Sequence, residues 1–378
     1  MSYVKRAVLD NFKNNLKPNK VLVLLGARRV GKTQLIKKYL ETVEEKVLQL
    51  NGEDLNDARL LEERTLENYA RLFQNIGLLV IDEAQAVQDI GLILKFIVDH
   101  IEGIKVIATG SSMFDLANKL GEPLVGRKNT FFLYPLSQIE FSNYENYKQT
   151  AENLETRLIF GGYPELTQFS SWEEKQNYLR EIVSSYLLKD ILIFDGIKNS
   201  NKIYDLLRLI ALQIGKEVSL QELGNQLQMS KNTVERYLDL LTKVFILFKV
   251  EGFSRNLRKE ITKTSRWYFY DNGIRNAIIN NYNSLQNRTD VGDLWENYLA
   301  SERIKKQEYH KIFRANYFWR TYDRQELDWL EEDAEKLSAF EFKWNENKKA
   351  KIPTAFAKAY PEAGFEVINK KNYLDFII

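Results

Sequence analysis

The sequence predicts an α/β chain whose N-terminal third is a parallel sheet interleaved with helices, followed by a helical stretch and a second, C-terminal α/β region. Three observations predict it. Between Lys20 and about Ser142 five short apolar runs, KVLVLLG, KVLQLN, LLVIDEA, KVIATGSS and FFLYPL, alternate with polar or helix-forming segments, as strands covered on both faces by crossover helices do. From about Glu152 to Ile214 strand signals vanish, and EEKQNYLREIVSSYLLKDIL and NKIYDLLRLIALQI repeat apolar residues at helical spacing. Beyond NNYNSLQNRTDVG, the most linker-like stretch, a helix, DLWENYLASERIKKQ, leads into the strand-like ELDWLEEDAEKLSAFEFKW.

A chain of 378 residues exceeds one ordinary core, so several are expected. No apolar run approaches the eighteen or so residues that a membrane helix needs, so no membrane association is expected. MSYVKRAVLDNFKNN lacks the apolar core of a secretory signal, and a cytoplasmic location is the expectation. The absence of cysteine excludes disulfides, thiolate zinc sites and cysteine nucleophiles. With 54 Lys and Arg against 52 Asp and Glu, the net charge of +2 does not argue for a nucleic-acid partner, and any basic surface must be local.

Residues 26–33 read GARRVGKT, directly after an apolar strand and directly before the amphipathic TQLIKKYL. Gly26, Ala27, Arg28, Arg29, Val30 and Gly31 form a loop whose amides face phosphate oxygens at a helix N-terminus, with Lys32, Thr33 and Gln34 beginning that helix. Lys32 is expected to reach the β and γ phosphates of ATP, and the Thr33 hydroxyl to bind Mg²⁺. The strand LLVIDEAQ ends in Asp82, placed to hold the magnesium, and Glu83, placed to polarise an attacking water. Two acids at the end of a buried strand are costly without a cation or polar partner, which points to hydrolysis rather than mere binding. KVIATG runs into Ser111 and Ser112, and the Ser111 hydroxyl is a candidate for orienting that water.

These motifs resemble those of AAA-type ATPases. The resemblance implies a sensor role for the polar residue that ends the fourth strand, and assigns to Arg127, just ahead of the fifth, a contact with a neighbouring subunit's γ phosphate in a homo-oligomer; an ordinary surface arginine is the alternative. GGYP, residues 161–164, resembles the motif with which related ATPases pack a lid helix near the adenine, which implicates Pro164; a plain turn is the alternative. In order, GARRVGKT, IDEAQ, GSS, GR, YPLSQIEF, GGYPE, WYFYDNGIR and GDLWENYLASE resemble a large prokaryotic family of AAA-type P-loop ATPases with a C-terminal domain of uncharacterised function.

SLQELGNQLQMSKNTVERYLDLLTKVF reads as two helices capped by Ser219 and Ser230, with apolar stripes Leu220, Leu223, Leu227 and Val234, Leu238, Leu241. With the hairpin FILFKV and RWYFYD the unit resembles a winged helix, whose wing carries Arg255, Arg258, Lys259, Lys263 and Arg266 against Glu260. Lys231, Asn232 and Arg236 alternate with Glu235 and Asp239 on the second helix, so duplex DNA is expected as a partner through its backbone, without sequence preference. The alternative is that the unit only packs against protein.

Alternation in AFEFKW puts Glu341 and Lys343 on one face and Phe340, Phe342 and Trp344 on the other; in ELDWL it sets Glu326 and Asp328 against Leu327 and Trp329. A tight turn in EEDAE would set Asp328 opposite Glu341 and Glu326 opposite Lys343. Facing carboxylates repel unless a divalent cation bridges them. Asp328, Glu341 and Lys343 resemble the PD(D/E)xK set of restriction-type nucleases, and Glu296 matches the acid that such folds supply from their first helix. That likeness implies a second Mg²⁺ held by Glu296, Asp328 and Glu341, with Lys343 beside the attacked phosphate; the alternative is a wet strand face with a Glu326–Lys343 ion pair.

The expected organisation is therefore a parallel-sheet P-loop (ASCE/AAA-type) ATPase core over 1–145, a helical lid over 146–200, a winged-helix unit over 201–280 and a restriction-endonuclease-like α/β domain over 281–378. The competing class is a nucleotide-dependent switch for a protein partner, with an inactive nuclease-like scaffold.

Overall fold

The computed structural model of the chain describes residues 3–112, 124–187, 200–254 and 265–378, apart from 322, 324 and 335. It divides into two compact units, residues 2–134 with 243–245, and residues 135–242 with 246–378.

The first unit is built on a parallel sheet of β1 (Lys20–Leu25), β2 (Val47–Asn51), β3 (Leu78–Asp82), β4 (Lys105–Gly110) and β5 (Lys128–Phe132), in the order β2-β3-β4-β1-β5. All five expected strands are present, the fifth beginning three residues before FFLYPL and ending at Phe132. Val21–Leu25, Leu78–Ile81 and Val106–Ala108 are buried throughout, which is why these runs read as continuously apolar rather than alternating. Helices Lys32–Leu40 and Ile90–His100 contribute Leu35, Ile36, Leu94 and Ile97 to this core. The register pairs Leu25 with Gly110 and with Phe132, and Asn51 with Asp82, so the strands end level with one another. Because β4 lies between β1 and β3, the loop after β1 and the acids after β3 flank a crevice at the C-terminal edge of the sheet.

In the second unit the helices Tyr147–Phe160, Trp172–Glu181 and Ser200–Leu212 precede the pair Leu220–Leu227 and Lys231–Lys243. Ser219 accepts from the Glu222 amide and Ser230 from the Thr233 amide, the two caps that the sequence predicts. A seven-stranded sheet runs β12-β11-β10-β9-β7-β8-β6, comprising β6 (Glu217–Val218), β7 (Leu247–Gly252), β8 (Ser265–Phe269), β9 (Ala315–Arg320), β10 (Glu326–Asp333), β11 (Lys336–Phe342) and β12 (Gly364–Ile368). Strands on either side of residue 280 belong to this one sheet, because β7 pairs parallel with β9 through Glu251–Tyr317 and Gly252–Phe318.

The β10–β11 hairpin turns within EEDAE as expected: Trp329 faces Phe340 and Asp333 faces Lys336, a register that continues to set Asp328 opposite Glu341. Strict alternation fails next to it. Between Leu327 and Leu330 the pairing of β10 with β9 shifts by a bulge. Leu327 and Leu330 consequently pack together with Trp319 and Phe356, while Trp329, expected beside Leu327, lies against Tyr268 on the other side.

Glu331 ties this sheet to the helix Val291–Tyr309. It is 1% exposed and accepts from Arg303 Nε at 2.5 Å and Nη2 at 2.8 Å, from Arg314 Nη1 at 2.9 Å and from Trp329 Nε1 at 3.2 Å. Burial alone would raise its pKa, yet the Arg303 and Arg314 contacts hold the carboxyl below its ordinary value. Glu331→Gln is expected to destabilise this unit by about 3–5 kcal/mol at neutral pH, since it strands a buried guanidinium. The contribution of Glu331 is full above the unfolded carboxyl pKa of about 4.3 and is lost as pH falls through its lower folded value. Calorimetry of both proteins should therefore show the difference between them shrinking on acidification.

Candidate functional site

The loop after β1 is shaped by two glycines. A Cβ on Gly26 would stand 2.1 Å from the Leu133 carbonyl oxygen, and Gly31, at φ +98°, opens the helix Lys32–Leu40. Arg6, which sequence reasoning missed, pins this loop: its guanidinium is buried and donates to the carbonyls of Val30 and Tyr134, each at 2.6 Å. Lys32 is also buried, its ammonium donating to the carbonyls of Gly26 at 2.9 Å and Ala27 at 3.1 Å.

Thr33 Oγ1 donates to Asp82 Oδ2 at 2.9 Å, so the hydroxyl and the carboxylate expected to share a magnesium converge. The other oxygen, Oδ1, accepts from Thr109 Oγ1, which in turn accepts from the Glu83 amide at 3.0 Å. Glu83 sits at φ +47°, a left-handed conformation that a residue with a side chain rarely takes and that concentrates at functional sites. Its Oε2 accepts from Gln85 Nε2 at 2.5 Å, and the same amide group lies 3.3 Å from Ser111 Oγ. Thr109 and Gln85 are thus part of the site though the sequence reading passed over them. Their signal was present: Thr109 ends KVIATG one residue before the glycine, and Gln85 closes IDEAQ. The residues present fit a nucleotide's magnesium, with Thr33 and Asp82 as its protein ligands; bound there, the ion would neutralise phosphate charge.

Arg127 lies elsewhere in this unit. Lys128 pairs with Val21 at the start of β1, so Arg127 stands one strand length, about 20 Å, from the phosphate loop at the far end of that strand. Its Nε donates to Asp99 Oδ1 at 2.6 Å.

In the second unit, Gly161 and Gly162 of GGYP meet Asp271 of WYFYDNGIR. A Cβ on Gly161 would fall 2.0 Å from Asp271 Oδ1, and the Gly162 amide donates to Oδ2 at 2.7 Å. Asn272 and Asn276 donate to the Leu158 carbonyl at 3.2 and 3.1 Å, taking up the end of the helix Tyr147–Phe160. Two segments quoted for family likeness are therefore one packing seam, and Pro164 begins a short 3₁₀ turn beside it.

The same unit brings the expected acids together. Asp328 is 9% exposed and accepts from the Phe342 amide at 2.8 Å; Glu296, on the helix Val291–Tyr309, accepts from Tyr268 Oη at 2.7 Å; Glu341 and Lys343 pair at 2.5 Å. Burial, and then the neighbouring Asp328 charge, raise the pKa values of Glu296 and Glu341; burial raises that of Asp328. Phe340 and Phe342 turn away onto Phe376, as the alternation predicts.

Two expectations are corrected here. Arg266 is not part of a solvated wing: it is 4% exposed, with Nη2 3.0 Å from Glu326 and Nη1 3.5 Å from Glu296 and 3.8 Å from Asp328. Glu326 consequently pairs with Arg266, and not with Lys343. Strand β8 reaches the acids because it lies beside β7, which joins β9, and no periodicity within RWYFYD reveals that. The other wing positions, Arg255, Arg258, Lys259, Glu260 and Lys263, lie outside the described residues. The arrangement does not fit a metal: among the described residues no group of three or more His, Cys, Asp or Glu is disposed to hold one, and a guanidinium contacts two of the three expected ligands.

Comparison with known proteins assigns the class. Residues 18–142 match the family model of an AAA domain, residues 151–285 that of a domain of unknown function, DUF8612, and residues 291–376 that of another, DUF4143. Residues 18–142 are thus similar to AAA domains. An uncharacterized protein of Methanocaldococcus jannaschii is 25% identical over 94% of this chain and 82% of its own. One of Haemophilus influenzae is 25% identical over 68% of this chain and 69% of its own. Among solved structures, the Walker-type ATPase of Pyrococcus abyssi aligns with a TM-score of 0.51 at 17% identity, over 72% of this chain and 93% of its own, a likeness of fold. Among the described residues no helix is long and apolar enough to cross a membrane.

Thr109→Val removes a hydrogen bond to a carboxylate, worth about 1.5–3 kcal/mol. ATP turnover is expected to fall roughly ten- to hundred-fold. Nucleotide binding, followed with a fluorescent ATP analogue, should be retained.

Proposed function

We propose that this chain hydrolyses ATP and uses the cycle to act on duplex DNA. The observation that carries hydrolysis is the chain of contacts from Thr33 through Asp82 to Thr109 and the Glu83 amide, which fixes a metal-binding carboxylate and the adjacent Glu83 in one frame. In this reading Lys32 contacts the β and γ phosphates, and Glu83 polarises water that Ser111 helps to orient. DNA as the substrate of the cycle is supported by the capped helix pair: Lys231, Asn232 and Arg236 are exposed on the second helix beside Glu235 and Asp239, a mixture suited to phosphate contacts rather than base reading.

The position of Arg127 supports a homo-oligomer. An arginine a strand length from its own phosphate loop does not reach that site, so a role at a γ phosphate requires a neighbour's.

The C-terminal acids support a second reading, an inactive nuclease-like scaffold on a nucleotide-dependent switch. What favours it is Arg266 among Glu326, Glu296 and Asp328, where an active nuclease of this type would hold magnesium.

The ATPase rate with and without duplex DNA separates the readings. Stimulation by DNA that weakens with salt, abolished in Lys32→Ala and in Glu83→Gln, is expected. A rate indifferent to DNA, with ATP-dependent capture of a protein, selects the switch. Arg127→Ala and Lys32→Ala proteins, each inactive alone, are expected to regain part of the activity when mixed, because arginine fingers contribute about 10³–10⁵ in rate. No rescue at any ratio removes Arg127 from the site.

A further inference from the structure

Arg266 has no role in either half of the proposed cycle, yet it is the most completely enclosed cation of the acid cluster. Its guanidinium stands over the Phe318 ring at 4.6 Å and turns both terminal nitrogens towards carboxylates, those of Glu326, Glu296 and Asp328. At 4% exposure it is closed to a phosphate arriving from solvent. The surrounding backbone is shaped for the acids: Gly215, at φ +72°, is where a Cβ would come within 2.8 Å of Glu296 Oε1. The remaining basic groups are already engaged, Lys343 with Glu341 at 2.5 Å and Lys216 with Asp293 at 2.8 Å. Glu341 Oε2 is nevertheless buried with no hydrogen-bond partner among the described residues. The cluster thus carries acceptor capacity that its own cations do not fill.

We infer that Arg266 is a tethered cation standing in the place of a divalent ion, so that the cluster takes up free metal only when the guanidinium is removed or withdrawn. Buried carboxylates deprived of their cation must recruit another, protonate or destabilise the fold. Oxygen ligands from Asp328, Glu296 and Glu341 suit a hard divalent ion, and a guanidinium within salt-bridge distance of two of them excludes it by charge and by volume. This deepens the scaffold reading and rests on it for what the site does after metal enters, but not for the entry itself.

The test uses the full chain without nucleotide and Mn²⁺ as the probe, with bound metal counted by electron paramagnetic resonance. Arg266→Met, similar in length but uncharged, is expected to melt earlier than wild type, to bind one more Mn²⁺ per chain, and to recover its melting temperature as Mn²⁺ is added. Adding Asp328→Asn should abolish both the extra ion and the recovery, whereas Arg266→Lys, which keeps the charge, should gain no ion. The phosphate loop is unchanged in all of these, so its own metal subtracts out. If Arg266→Met does not fold, Arg266→Gln is measured in the same way. Wild type already holding an Asp328-dependent ion, or an uncharged variant that folds and gains none, overturns the inference. Duplex cleavage assayed on the same samples separates the two ideas: metal uptake without cleavage upholds the tethered cation and excludes the nuclease.

Discussion

A carboxylate taken out of water must find a cation, find hydrogen-bond donors or protonate, and both chemical centres of this chain are organised by how that demand is met. At the end of β3, the half-buried Asp82 is met by two hydroxyls, Thr33 and Thr109, one on each oxygen. In the second unit, the buried Asp328 and the partly buried Glu296, with the exposed Glu326, are met by the Arg266 guanidinium. Similar residue types therefore produce opposite chemical situations. One centre offers a carboxylate held by hydroxyls, and the other is built around a cation of its own.

The two solutions follow from topology. In the parallel sheet every strand ends at the same edge, so a loop, an acid and a hydroxyl from three strands meet there. In the mixed sheet the short parallel pairing of β7 with β9 carries β8 to the acid-bearing strands, and the bulge in β10 puts Asp328 and Trp329 on the same side as Tyr268 and Glu296. Glu331, farther along β10, is clamped by Arg303 and Arg314, which fixes the strand against the helix that supplies Glu296. Acids and a guanidinium from elements distant in sequence are thus held in one place.

The packing seam between GGYP and YDNGIR is shaped by backbone geometry: Gly161 leaves no room for a Cβ beside Asp271, whose carboxylate accepts from the Gly162 amide.

The sequence by itself determined the local structure: five parallel strands, three of them buried, the phosphate loop, the caps at Ser219 and Ser230, and the β10–β11 register that opposes Asp328 to Glu341. Each depends on neighbours within a few residues, through hydrophobic period, glycine conformation or turn length. Only the tertiary structure decided the rest. Arg266 reads as one more positive charge on a loop, because its partners lie tens of residues away on three other elements. Thr109, Gln85 and Arg6 read as ordinary strand, turn and surface residues for the same reason. The bulge that redirects Trp329 arises from a strand pairing that no alternation rule encodes. Charge and periodicity are properties of a segment, but the partner of a buried charge is a property of the fold.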